Sequence, residues 1–256
     1  WYIYGAGLPI RWDDVVNKIE KWPTNINDNF VSSLVQVISP RVTDINLSHT
    51  DITDKGIETI CEHFNNFRKV NFEGCTCITS KGISTLARTN IHLQYVSLGG
   101  HRDPGRWDML GNVWVILLAE YCRELRIFSF TYANISDDST LYMAKRCTDL
   151  IKINFSNTDI SSISAIEFAT HCPHLQYARF DWCENMTEDA VFGMRENCNN
   201  VLTASFDMCP SLEHCDNRYK AYYLCIINGK VYGETKPPWN NRTDDLELYD
   251  DNFDYD

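Results

Sequence analysis

Eleven cysteines and seven histidines are the side chains most able to do chemistry in this chain. Cys75-Thr76-Cys77 and Cys209 with His214-Cys215 have the residue types of a zinc site, and His171-Cys172-Pro173-His174 has those of a ligand cluster. Structural zinc requires four ligands in paired short spacings. Cys75, Cys172 and Cys209 have a different explanation, given below, and Cys77 is the extra residue of a longer repeat. A Cys/His nucleophile needs a thiolate stabilised by a nearby base in an exposed pocket. Gly99-Gly100 and Gly105 do not form a phosphate loop, because no GxxxxGK[ST] pattern is present; HExxH and GxSxG are also absent. The reading is a protein without catalytic residues, cofactor or metal.

The elements that position these residues repeat. The first apolar strand positions are Val42, Phe67, Leu93, Leu125, Leu150, Leu175 and Val201, with spacings of 25, 26, 32, 25, 25 and 26. The second are Ile45, Val70, Val96, Phe128, Ile153, Ala178 and Ala204, and the third are Leu47, Phe72, Leu98, Phe130, Phe155, Phe180 and Phe206. This is the leucine-rich-repeat frame. Each copy predicts a short parallel strand and a helix. Ile57, Ile60, Cys61 and Phe64 share one helical face, and Thr53 is the expected N-cap before Asp54, Lys55 and Gly56. One unit cannot bury its apolar face alone, so neighbours must stack. The predicted fold is an α/β solenoid, right-handed, of about seven strand–helix repeats with the parallel sheet on its concave face.

Thiols recur in this frame. Cys75, Cys183 and Cys209 hold the ladder position after the strand, and Cys122, Cys147, Cys172 and Cys198 stand three residues before the next one. With Ile52-Thr53-Asp54, this resembles the cysteine-containing leucine-rich repeat of F-box/LRR proteins, over roughly residues 41–210. The resemblance implies the substrate-recognition part of a ubiquitin-ligase receptor, or an F-box-free relative. The F-box itself is not seen: Leu8-Pro9 with Val15, Val16 and Ile19 has the wrong spacing, and no Cys/Arg/Trp closing segment follows. The alternative is a structural or assembly subunit of a larger complex, such as the mitochondrial respiratory chain or ATP synthase. The sequence encoded ahead of Trp1 separates the two: an F-box supports the first, an Arg-rich presequence the second.

The expected organisation is an N-terminal segment and helical cap over 1–40, with helices from Trp12 and from Phe30 to Ile38. Repeats follow over 41–210, then a C-terminal cap over 211–233 with a hairpin turn at Asn228-Gly229, and an acidic tail over 234–256 expected to be disordered. The net charge of −12 disfavours nucleic acid. Thiols in core slots and an odd cysteine count point to a reducing compartment, cytoplasmic or nuclear, or mitochondrial under the alternative. No apolar run is long enough for a membrane span.

Binding is expected on the concave face, where strand residues alternate with the core positions. Most are small and polar; Tyr95, Ile127, Lys152, Tyr177 and Arg179 are the large ones. The surplus residues of the third repeat follow Gly99 and add His101, Arg102, Arg106 and Trp107 beside Tyr95. Insertions in repeats map to loops on one face, often the binding face. These nine residues are the candidate protein-binding set.

Overall fold

The computed structural model describes residues 26–36, 41–99, 111–212, 223–227 and 230–234. The expected helix from Trp12, the insertion after Gly99, the residues of the hairpin turn and the acidic tail past Glu234 lie outside these residues. The helix expected over Phe30–Ile38, whose last two residues lie outside the described ones, starts earlier: α1 runs Asp28–Leu34, begun by Asn27, whose side-chain oxygen accepts from Asn29 N and Phe30 N. That amide fixes the start two residues before the first apolar position.

Strands and helices then alternate: β1 (Asp44–Asn46), α2 (Asp54–His63), β2 (Lys69–Asn71), α3 (Ser80–Thr89), β3 (Tyr95–Gly99), α4 (Gly111–Tyr121), β4 (Ile127–Thr131), α5 (Asp137–Arg146), β5 (Lys152–Asn154), α6 (Ser162–His171), β6 (Tyr177–Arg179), α7 (Glu188–Asn197) and β7 (Thr203–Ser205). The seven strands are parallel and neighbours in chain order. Two antiparallel strands, β8 (Tyr223–Ile227) and β9 (Lys230–Glu234), continue the sheet; the Ile227–Lys230 pairing leaves two residues between them, the length of a tight hairpin.

The core lies between sheet and helices. Phe72, Phe130, Phe155, Phe180 and Phe206, with Leu47 and Leu98, are buried at the third strand position; the Phe180 and Phe206 centroids are 5.4 Å apart, and Phe155 meets Phe168 of α6 at 5.3 Å. Repeat-position thiols donate to carbonyls of the preceding repeat. Cys75 Sγ lies 2.8 Å from Leu47 O, Cys183 Sγ 3.2 Å from Phe155 O and Cys209 Sγ 3.2 Å from Phe180 O. Cys147 and Cys172 point at the carbonyls of Cys122 and Cys147. A small, weakly donating apolar group suits both slots. All of these thiols are free.

Helix starts are tied repeat to repeat. Thr53, Thr79 and Ser161 each cap their own helix, accepting from the amide two residues on. Each also donates its backbone N–H and hydroxyl backwards to the first-turn carboxylate of the preceding helix: Thr53 to Asp28, Thr79 to Asp54, Ser161 to Asp137. Asn112 Oδ1 does the same for Ser136. The equivalent position in α4 is Gly111, which has no hydroxyl, and the Ser80 hydroxyl one helix earlier is buried without a partner among the described residues.

After each strand the backbone turns through the left-handed region, at His49, Gly74, Tyr132, Asn157, Trp182 and Met208. Gly99 is also left-handed (φ 85°), and a Cβ there would collide with the Thr131 backbone. Only glycine fits.

Candidate partner-binding surface

Sheet register aligns the concave-face residues in rows. The first row reads Asp44, Lys69, Tyr95, Ile127, Lys152, Tyr177, Thr203. Four of the sequence-predicted residues, Tyr95, Ile127, Lys152 and Tyr177, therefore sit on four successive strands as lateral neighbours. The second row holds Arg179 among Asn46, Asn71, Ser97, Ser129, Asn154 and Ser205.

Burial changes what this row offers. Ile127 is 9% exposed and Lys152 8%, although both face away from the core cluster. Strands about 4.8 Å apart bring large side chains of adjacent repeats within reach of one another. The Lys152 ammonium lies 4.8 Å from the Tyr177 ring centroid, a cation–π contact that holds the ring down on the row. Ile127 and Lys152, expected as exposed contacts, are buried. Tyr95, Tyr177 and Arg179 remain half-buried. Arg179 Nε is 2.7 Å from Asp181 Oδ2, and Asp181 Oδ1 accepts from Ser205 Oγ and Asp207 N. The guanidinium is thus fixed in direction, with less charge left for a partner. His101, Arg102, Arg106 and Trp107 lie outside the described residues.

Trp182 is the residue that the pattern reading missed. It stands just past the strand carrying Tyr177 and Arg179, on a left-handed backbone (φ 61°), and is 53% exposed. A bulky residue in that conformation costs free energy, and its counterparts include glycine and asparagine. Aligning two positions after the third strand residue, Phe180, would have shown it.

Among the described residues neither chemistry considered for the cysteines finds support; His214 and Cys215 lie outside them. No group of metal-binding side chains occurs among the described residues. Burial pushes the thiols of Cys122 and Cys147 up to about 12 and that of Cys183 to about 11, the wrong direction for a nucleophile. A cavity of about 600 Å3 at the last repeat is lined by Gln176, Arg195, Asn199 and Asn200 with Cys198; burial raises the Cys198 thiol as well, and it points at Leu175 O. His171 is engaged by Glu167 at 3.1 Å. No described helix is long and apolar enough to cross a membrane.

Comparison with known proteins agrees with this architecture. Residues 40–61 match the Leucine Rich repeat family. No curated protein matches the sequence. Among solved structures, a chain in the crystal structure of the Rad7 and Elc1 complex in yeast superposes with a TM-score of 0.51 at 14% identity, over 73% of this chain and 55% of that one. This chain thus spans about half the length of that neighbour. The fold is an α/β leucine-rich-repeat solenoid, a scaffold that generally binds proteins.

Proposed function

We propose that this protein recognises a partner protein through its concave face and has no catalytic activity of its own. The supporting observation is the lateral row Tyr95–Ile127–Lys152–Tyr177, with Arg179 two residues on in the Tyr177 strand and the exposed Trp182 just past that strand's other end. Aromatic and Arg side chains in a supported setting are the usual anchors of interfaces. His101, Arg102, Arg106 and Trp107 belong to the same surface in this proposal. The finer reading is the substrate-recognition part of an F-box/LRR-type ubiquitin-ligase receptor, acting in the cytoplasm or nucleus. The cysteine register supports it, as does the yeast neighbour, determined in a two-protein complex.

The test is cross-linking affinity purification with wild type and a Tyr177→Ala/Trp182→Ala variant. Truncating a true anchor costs about 2 kcal/mol or more, and about 1.4 kcal/mol is tenfold in affinity. The partner recovered by wild type is expected to bind the variant at least tenfold more weakly at unchanged Tm. Unchanged affinity overturns the concave-face proposal. Reproducible absence of a cullin and its adaptor from the purified material overturns the ligase reading alone.

A further inference from the structure

The helical outer face carries a second feature, independent of the sheet. The side chains two, five and nine residues past each helix's start position lie on the side turned away from the sheet, about one turn apart, and are half-buried or exposed. The start positions are Asn27, Thr53, Thr79, Gly111, Ser136, Ser161 and Thr187. On α1 to α3 these places hold Asn29, Ser32, Gln36; Lys55, Glu58, Glu62; and Lys81, Ser84, Arg88. None is apolar, and Lys81 pairs with Glu58 across the face at 2.6 Å.

On α4 to α7 the same places change character. The middle row becomes Ile116, Leu141, Ile166 and Phe192, and Val113 and Ile163 extend it one turn toward the helix starts. Ile116 is 40% exposed, Phe192 47% and Ile163 56%. The remaining places are Glu120, Asp138, Asp189, Glu196, Lys145 and Thr170: four carboxylates against one ammonium. Asp138 and Asp189 stand on one side of the apolar row, Glu120 and Glu196 on the other. Asp138 and Glu196 have no ion-pair partner among the described residues, while Glu120 is met by Arg146 at 3.1 Å. Gly193 adds to the row, because Ile166 lies against the space its missing side chain leaves. Packing between helices accounts for Leu141 and Ile166, which are half-buried, but not for the exposed Val113, Ile116, Ile163 and Phe192: the first three helices pack on the same sheet with polar residues at these places.

We infer that the outer face of α4–α7 is a second docking surface, taking a basic amphipathic helix from a partner protein. Helices pack about 10 Å apart, so a row across four of them is about 30 Å long, the length of a helix of about 20 residues. Such a helix lays an apolar stripe in the row and places Lys or Arg against carboxylates on both sides. Charge selects this occupant. A second copy of the chain would bring the same carboxylates against these, and the chain is already at −12. An anionic lipid surface is repelled for the same reason.

The probe is a fluorescein-labelled 18-residue helical peptide of Leu and Lys only, with Leu at one helical face, titrated against the full chain by fluorescence anisotropy. Its partner is a control peptide of equal charge with each Leu replaced by Ser. Wild type is expected to bind the Leu/Lys peptide at least tenfold more tightly than the control. The Ile116→Ser/Phe192→Ser variant, matched to wild type by circular dichroism and Tm, is expected to lose at least tenfold, and Asp138→Asn/Asp189→Asn to lose affinity and show weaker salt dependence. Tyr177→Ala is expected to leave peptide binding unchanged, which separates this surface from the concave one. Equal binding of the two peptides, or an Ile116→Ser/Phe192→Ser variant that binds as wild type does, overturns the inference. So does a wild-type dimer in sedimentation that this variant makes monomeric, since the row would then belong to a second copy.

Discussion

Asp137 tests how the repeats are held together. Its carboxylate accepts Ser161 N at 2.9 Å and Ser161 Oγ at 2.7 Å, and it also accepts the Ser164 hydroxyl. Ser164 is fully buried, with Thr140 Oγ1 at 2.6 Å as its second partner. Asp137→Ala removes three bonds and leaves a helix-start amide and a buried hydroxyl short of an acceptor. At about 0.5–1.5 kcal/mol net per bond, the expected loss is about 2–4 kcal/mol. For a chain of this size that lowers Tm by roughly 5–15 °C. Asp137→Asn is the informative control. Asn112 fills this place in the preceding helix, and its single oxygen accepts Ser136 N, Ser136 Oγ and Ser139 Oγ at 2.7, 3.2 and 2.8 Å. One amide oxygen therefore suffices, and Asn is expected to cost less than half of what Ala costs. Urea unfolding followed by far-UV circular dichroism gives the totals. Hydrogen exchange at the first turn of α6 shows whether the loss is local to the α5–α6 joint. An Ala variant within about 0.5 kcal/mol of wild type, or an Asn variant as damaged as Ala, refutes the cap ladder as a source of stability.

Phe155 is fully buried between Phe128 and Phe168, at 5.6 and 5.3 Å, so Phe155→Ala is expected to cost about 3–5 kcal/mol; a near-neutral urea midpoint refutes the core register. Gly99→Ala puts a Cβ into the Thr131 backbone at a left-handed φ and is expected to lower Tm more than Gly193→Ala, whose Cβ meets only the Ile166 side chain. Alkaline pH should weaken the fold. Burial raises the folded thiols of Cys61, Cys122 and Cys147 from 9.0 to about 12, so the unfolded chain binds fewer protons between those values. Stability is full below pH 9 and falls as pH rises toward 12. Urea midpoints at pH 8 and pH 10 measure it, and a flat profile refutes the burial of these thiols.

The sequence by itself determined the architecture. A 25- or 26-residue period fixes which residues become lateral neighbours, because each repeat can bury its apolar face only against the next. The thiol burial at Cys75, Cys147, Cys172 and Cys183, the N-cap at Thr53 and the row joining Tyr95 to Tyr177 all follow from that alignment. What the alignment omits is everything set by distance across strands and helices. Ile127 and Lys152 are on the expected face but buried, and the Tyr177 ring of the next repeat lies over Lys152. Arg179 is steered by Asp181, two residues on, and only the strand geometry brings guanidinium and carboxylate into contact. The reciprocal caps, Asp137 with Ser161 and Asn112 with Ser136, join residues about one period apart. A hydroxyl or carboxylate in sequence declares its donors and acceptors, but not which repeat supplies the other half. The left-handed turn that leaves Trp182 exposed, and the apolar row over α4–α7, depend on which side of each repeat is left uncovered once the helices have packed. That is a property of the stacked solenoid and of no single repeat.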